Sequence, residues 1–118
     1  MKSSEIDRLC QNVATAVSEV RTVFRSSLPV AEILNRFWAL QDHLSRLLEA
    51  ISDYAGETVE VLENYPRLLS DVVDVLEFSS KLQTLRNIAA VKESAESING
   101  SLLSIQYARQ SRALIASA

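Results

Sequence analysis

The side chains best suited to chemistry in this chain are one histidine, one cysteine and a group of carboxylates. His43 is the only histidine, and it lies beside the longest apolar seam of the sequence. A lone imidazole needs a positioned acid and nucleophile to act in a Ser-His-Asp relay, and it needs further ligands to hold a metal. The sequence shows no such set around it, so we interpret His43 as a residue at the edge of the core.

Cys10 is the only cysteine, which excludes a disulfide within the chain. It falls inside an apolar pattern, where a thiol usually serves as a small buried side chain rather than as a nucleophile. We therefore expect Cys10 to be buried and unreactive.

Five carboxylates are numerous enough to suggest a metal site, and they are Glu60, Glu63, Asp71, Asp74 and Glu77. Di-metal sites in helical bundles need inward-facing Glu residues with Glu-x-x-His pairs, and no such pair occurs here. The sequence also lacks a glycine-rich phosphate loop, a CxxC pair and an EF-hand loop. We expect a solvated acidic face, no catalytic, cofactor-binding or metal-binding residue, and a protein that is not an enzyme.

The element that organises the chain is an amphipathic helix over residues 29–55. Its apolar side chains recur at spacings of three and four, which is typical of a helix with a partner along its whole length. They are Val30, Ile33, Phe37, Leu40, Leu44, Leu47, Ile51 and Tyr54. On the outer side Glu32 precedes Arg36, and Asp42 precedes Arg46, by four residues, the favourable order for ion pairs.

A first helix is expected over residues 4–25, because a serine can cap its start and an apolar seam runs from Ile6 to Val23. Pro29 suits the first turn of the next helix and disfavours helical geometry in the residue before it. These two helices should therefore form an antiparallel hairpin.

A third helix is expected over residues 57–86, with a kink at Pro66, where it is either bent or restarted because proline removes a helical hydrogen bond. We favour a turn at Gly56 before it, although the heptad phase also allows the central helix to continue to Asn64. The broad apolar stripe in its second half, which ends at Leu85, predicts a position deep in a bundle.

A fourth helix is expected over residues 88–115, because its apolar seam is out of phase with the seam that ends at Leu85. The helix either passes through Gly100 or ends there, in which case a short fifth helix begins at Ser101. A row of small side chains beside the seam either admits another helix closely or forms a solvated serine face. The row comprises Ala90, Ser94, Ser97, Ser101, Ser104, Ala108 and Ser111.

These patterns predict an all-α protein, an antiparallel up-down bundle of about four helices in a single domain over residues 1–118. Two glycines, two prolines and 47% hydrophobic residues fit such a chain and exclude a disordered linker or a turn-rich β-sandwich. The sequence has no apolar run long enough to span a membrane and no secretory signal. We therefore expect a soluble, cytoplasmic protein.

The charge distribution excludes one class of partner. The net charge is −3, and residues 53–77 carry seven acids and one base, whereas residues 78–118 carry five bases and two acids. Nucleic-acid binding needs a basic face or a domain poor in acids, and the chain has neither. We expect no nucleic-acid partner.

Seven residues are candidates for a partner interface. Four of them are apolar and lie off the principal seams of their helices, namely Trp38, Val59, Val73 and Leu103. Trp38 either completes a wide core stripe or stands as an exposed anchor for a partner. Tyr107, Arg109 and Arg112 either complement the dipole at a helix end or contact an acidic partner or anionic lipid.

Two functions of different classes follow from these patterns. The first is a non-catalytic protein-protein interaction module, a small helical subunit or adaptor domain that binds other helical chains, as a homo- or hetero-oligomer, through coiled-coil-like faces. The second is a membrane-associating amphipathic bundle, which the amphipathic helices support and the acidic middle opposes. We expect the first, without a cofactor.

Overall fold

Within the described residues the chain folds into five helices. The computed structural model describes the backbone of residues 2–23 and 27–117, and the side chains of residues 4–23, 27–54 and 56–111. The helices are α1 (Lys2–Thr22), α2 (Val30–Asp53), α3 (Ala55–Leu62), α4 (Leu68–Leu85) and α5 (Val91–Ser117). This part of the chain contains no strand, and the predicted all-α bundle is confirmed. The predicted end of the first helix, Arg25, lies outside the described residues.

α1 and α2 form the predicted antiparallel hairpin. Near the start of α2, Arg36 Nη1 donates a hydrogen bond of 2.9 Å to the carbonyl oxygen of Glu19, near the end of α1. It also donates to Thr22 Oγ1. At the opposite end of the hairpin, Ile6 of α1 and Ala50 of α2 line the same groove.

One of the two ion pairs predicted along α2 forms. Arg46 Nε lies 3.1 Å from Asp42 Oδ2. No ion pair between Arg36 and Glu32 occurs among the described side chains, because the guanidinium of Arg36 turns towards the end of α1 instead.

The four long helices pack in a ring in the order α1, α2, α5, α4. α4 runs in the same direction as α1. Tyr65, just before α4, meets Asp7 early in α1, whereas Asp71 and Asp74 meet Arg21 near the end of α1. α5 follows α4 after a short connection and returns antiparallel to it. α3 joins α2 to the diagonally placed α4, and it touches α1, α2 and α5 at that end of the ring.

The core between these helices follows the predicted seams. Its largest fully buried side chains are Phe37, Ile6, Leu40, Leu44, Leu47, Leu82, Ile98, Leu102, Ile105, Val13, Val20 and Val23. Two side chains assigned to the seams are exposed instead, Val30 by 49% and Leu85 by 81%. Val30 is the first residue of α2 and Leu85 is the last of α4, so both exceptions lie at helix ends.

The break between α2 and α3 falls at Tyr54 rather than at Gly56. Tyr54 leaves helical geometry, with φ −138° and ψ 52°, so that α2 ends at Asp53 and α3 begins at Ala55. The alternative of one continuous helix to Asn64 is therefore wrong.

At Pro66 the chain restarts its helix, the second of the two predicted outcomes. Before it, Glu63, Asn64 and Tyr65 each donate a backbone hydrogen bond to the carbonyl oxygen three residues earlier, which tightens the end of α3 into turns. Pro66 has no N–H with which to continue a helical ladder, and α4 restarts at Leu68. The predicted third helix is therefore two helices.

The boundary between α4 and α5 falls where the apolar seams of the two helices are out of phase. Asn87 adopts the left-handed conformation with φ 55°, and Ile88 N donates to the carbonyl oxygen of Leu82 at 3.1 Å, which closes the end of α4. α5 begins at Val91 rather than at residue 88, and it passes through Gly100 without a break. The alternative of a helix end at Gly100 is wrong.

Candidate interaction surfaces

The side chains that the sequence singled out for chemistry are dispersed in the structure. Among the described residues, no group of three or more His, Cys, Asp or Glu side chains is placed to hold a metal ion. His43 is half-buried, in agreement with its predicted position at the edge of the core. Its Nδ1 is buried and has no hydrogen-bond partner within the described part of the chain.

Cys10 is buried, as predicted, one helical turn from Asp7. Tyr65 Oη donates to Asp7 Oδ1 at 2.5 Å, and Gln11 Nε2 donates to Asp7 Oδ2 at 2.9 Å. Burial, and secondarily the negative charge of Asp7, raise the pKa of the Cys10 thiol from 9.0 to about 11. The hydrogen bond to Asp7, followed by burial, raises the pKa of Tyr65 above its ordinary value. Both groups therefore stay protonated at neutral pH, where the thiol is a poor nucleophile.

The five carboxylates of the middle segment do not form one cluster. Asp71 Oδ1 lies 3.0 Å from Arg21 Nη2, and Asp74 Oδ2 lies 3.6 Å from the same nitrogen. The other three, Glu60, Glu63 and Glu77, are exposed. The predicted solvated face is therefore interrupted where α4 meets α1, through partly exposed ion pairs of a kind that contributes about 0 to 1 kcal/mol each.

Large apolar side chains remain on the outside of the bundle. Trp38 is 41% exposed, Leu85 81%, Leu103 55% and Tyr107 72%. Of the predicted interface residues, Trp38, Leu103 and Tyr107 are thus exposed, and so is Arg109. Leu103 and Tyr107 lie four residues apart and share one side of α5. The exposure of Trp38 favours the anchor over the core interpretation.

The other predicted interface residues are placed differently. Val59 and Val73 are half-buried, and Val73 packs against the core, while the side chain of Arg112 lies outside the described residues. Val59 and Arg109 line a groove of about 480 Å³ between α3 and α5. Its other lining residues are Glu63, Gln106 and Gln110. The predicted residues therefore lie on four helices, α2, α3, α4 and α5, and two of them, Val59 and Arg109, share one groove.

The row of small side chains on α5 divides between its two interpretations. Ser94 and Ser101 are buried, and Ser101 Oγ donates to Gln41 Oε1 of α2 at 3.3 Å. Ala90 and Ser104 are exposed. Ser101 lies where α2 and α5 meet, and the exposed members belong to the solvated side.

No family model, curated protein or solved structure matches this chain. Within the described ranges, none of the helices combines the length and the apolar composition that crossing a membrane requires. The surfaces of the chain are therefore assigned from its own residues.

A groove at the end of α4 is the surface that the sequence did not indicate. We call it the α4 groove; it measures about 260 Å³ and is lined by Phe78, Lys81, Leu82, Leu85 and Arg86. Spacings of three and four place these residues on one side of the helix. Leu82 is buried and forms the floor, whereas Leu85 is exposed. The spacing of Leu85 continues the apolar seam, which is why the sequence pattern assigned it to the core.

The α4 groove lies far along α4 from the ion pairs that join this helix to α1. Arg21, in the last turn of α1, meets Asp71 and Asp74 in the first half of α4. Leu85 follows Asp74 by eleven residues, which places it about 16 Å further along the axis of α4 at a rise of 1.5 Å per residue. α1 ends at Thr22, one residue after Arg21, so its ion pairs lie beside the first half of α4 and not at the level of Leu85.

Proposed function

We propose that this chain is a non-catalytic helical interaction module, a small subunit or adaptor domain that binds another helical protein through its outer apolar side chains. The observation that carries the proposal is the exposure of Trp38, Leu85, Leu103 and Tyr107 on a bundle whose seams already bury one another. Large exposed apolar side chains are typical of surfaces that meet a partner. Tryptophan and tyrosine are also the side chains that interfaces most often use as anchors.

The fold does not need these side chains for its own core. Each long helix directs a separate set of apolar residues into the interior, for example Phe37 and Leu44 of α2 and Ile98 and Ile105 of α5, and these are fully buried. The exposed residues lie outside that set, so binding a partner would cover surface that the bundle leaves open.

The second candidate is association with a membrane surface. The α4 groove supports it, because an exposed leucine stands there beside Lys81 and Arg86. Stable attraction to anionic lipid generally takes clusters of about four to eight basic residues. Asp74 and Glu77 are exposed on the same helix and would be repelled by such a surface. The protein partner is therefore the better supported candidate.

Site-specific photo-crosslinking tests the proposal. A photoreactive phenylalanine analogue is placed at Leu85, Leu103 or Tyr107 of the full chain, which is then expressed in its native source. Thr84 and Glu96 are exposed polar positions on the same helices and serve as matched controls. We expect discrete protein crosslinks at the apolar positions and few at the polar ones.

The opposite result is equally clear. Equal, diffuse crosslinking at all positions, together with sedimentation of the purified chain as a compact monomer, would contradict the proposal. Flotation of the chain with anionic vesicles, without protein crosslinks, would favour the membrane candidate instead.

A further inference from the structure

We infer that the α4 groove binds an acidic amphipathic helix of another protein. This inference rests on the proposed function and names the class of partner for one of its surfaces. It follows from the shape of the apolar floor and from the charges at its rim.

The apolar part of the α4 groove is the continuation of a helix seam. Leu82 is buried and Leu85, one turn later, is exposed, so the seam loses its cover within one turn. Over its first half the same helix is flanked by α1, which lies alongside it. A second helix presenting apolar side chains at spacings of three and four would extend the same packing.

Both charged side chains among the described lining residues of the α4 groove are basic. Lys81 and Arg86 line it, and no carboxylate appears among its five described lining residues. Neither cation forms an ion pair or hydrogen bond with any other described residue. A partner with carboxylates beside its apolar seam would pair with both, whereas a basic partner would be repelled.

Two other occupants fit these charges less well. A second copy of the chain in a symmetric contact centred on the groove would place Lys81 and Arg86 against the same residues of its partner, and such like charges repel. A lipid surface would meet only these two cations, fewer than the roughly four to eight basic residues that stable attraction to anionic lipid takes.

A designed peptide tests the inference on the full chain. The probe is a labelled helical peptide of about 20 residues, long enough to hold helix, with leucine at i, i+3, i+4 and i+7 and glutamate elsewhere. A matched peptide carries lysine in place of glutamate. Fluorescence anisotropy should show the glutamate peptide binding at least about tenfold more tightly than the lysine peptide.

Variants of the chain locate the contact. Leu85→Ser, and the double variant Lys81→Gln with Arg86→Gln, should each weaken binding of the glutamate peptide by about tenfold or more. Val30→Ser, and Arg67→Gln with Lys92→Gln, change exposed residues outside the groove and outside the candidate interface, and they should leave binding unchanged. Arg86 also lies at the C-terminus of α4, where a cation stabilises the helix by interacting with its dipole. Thermal unfolding of every variant is therefore followed by circular dichroism, which separates a loss of stability from a loss of binding.

Several results would overturn the inference. Equal affinity for both peptides, or equal losses in groove and control variants, would remove the α4 groove as an acid-selective site. Self-association or vesicle flotation abolished by the groove variants would identify a different occupant. If the peptide fails while photo-crosslinking at Leu103 captures a partner, only this inference falls; if no position captures a protein, the proposed function falls with it.

Discussion

At the scale of single residues, the best-defined chemical environment is that of the Cys10 thiol. Burial and the nearby Asp7 carboxylate raise its pKa from 9.0 to about 11. Between these values the unfolded chain loses the proton and the folded chain keeps it, so raising the pH favours unfolding. The raised pKa of Cys10 contributes about 2 to 3 kcal/mol to the free energy of unfolding. This contribution is complete below pH 9 and disappears as the pH approaches 11.

The variant Cys10→Ala isolates this contribution from other groups that ionise in alkali. At pH 7 it should unfold more easily than the wild type by about 1 kcal/mol, because a small cavity replaces the sulfur. Urea denaturation between pH 8 and 11 should then show the wild type losing this advantage and becoming less stable than the variant at the upper end of the range, because the loss exceeds the advantage. A difference that stays constant with pH would contradict the assignment.

The hydrogen bond between Tyr65 and Asp7 gives a second prediction at this scale. Tyr65 Oη donates to the Asp7 carboxylate at 2.5 Å and thereby ties the segment before α4 to the start of α1. Tyr65→Phe should lower the free energy of unfolding by about 1.5 to 3 kcal/mol, the range for a hydrogen bond to a charged group. Tyr107→Phe removes a hydroxyl from an exposed ring and is the matched control, with an expected effect near zero. Equal effects of the two substitutions would show that this contact contributes nothing.

At the scale of helices, the glycine inside α5 is a position where the fold is not optimised. Gly100 lies within α5, is exposed, and a Cβ added there would meet nothing within 4 Å. Gly100→Ala should therefore raise the free energy of unfolding by about 0.5 to 1 kcal/mol, because alanine loses less backbone entropy in a helix. Gly100→Pro should lower it by about 3 kcal/mol or more. Tolerance of proline at this position would mean that α5 is interrupted there.

Helix boundaries show what apolar spacing can and cannot predict. The spacing identified the buried seam of α2, including Phe37, Leu44 and Ile51. It could not choose between Gly56 and a continuous helix, because the seam keeps its phase across the irregular Tyr54. It also placed Leu85 in the core, since periodicity reports which side of a helix is apolar and not how far its neighbour extends.

At the scale of the whole molecule, the order of the helices depends on a short crossing element. α3 spans the end of the ring between α2 and α4, which places α1 beside α4 and α2 beside α5. The sequence predicted a bundle but not this ring order, because several arrangements bury the same seams. The interface residues were predictable in part, because Trp38, Leu103 and Tyr107 are exposed. The α4 groove depends on how α4 is positioned along its neighbours, which no local pattern encodes.

The ring arrangement also predicts that the molecule unfolds as one unit, and two leucines test this. Leu44 is fully buried in α2, the helix that touches α1, α3 and α5, whereas Leu85 lies in the α4 groove and is exposed. Leu44→Ala should lower the free energy of unfolding by about 2 to 5 kcal/mol, and Leu85→Ala should change it by about 0.5 kcal/mol or less. Urea unfolding followed by circular dichroism and by the fluorescence of Trp38, the only tryptophan, should give coincident transitions in both variants. Separate transitions, or a Leu44 effect as small as that of Leu85, would show that the hairpin of α1 and α2 and the pair of α4 and α5 do not share one core.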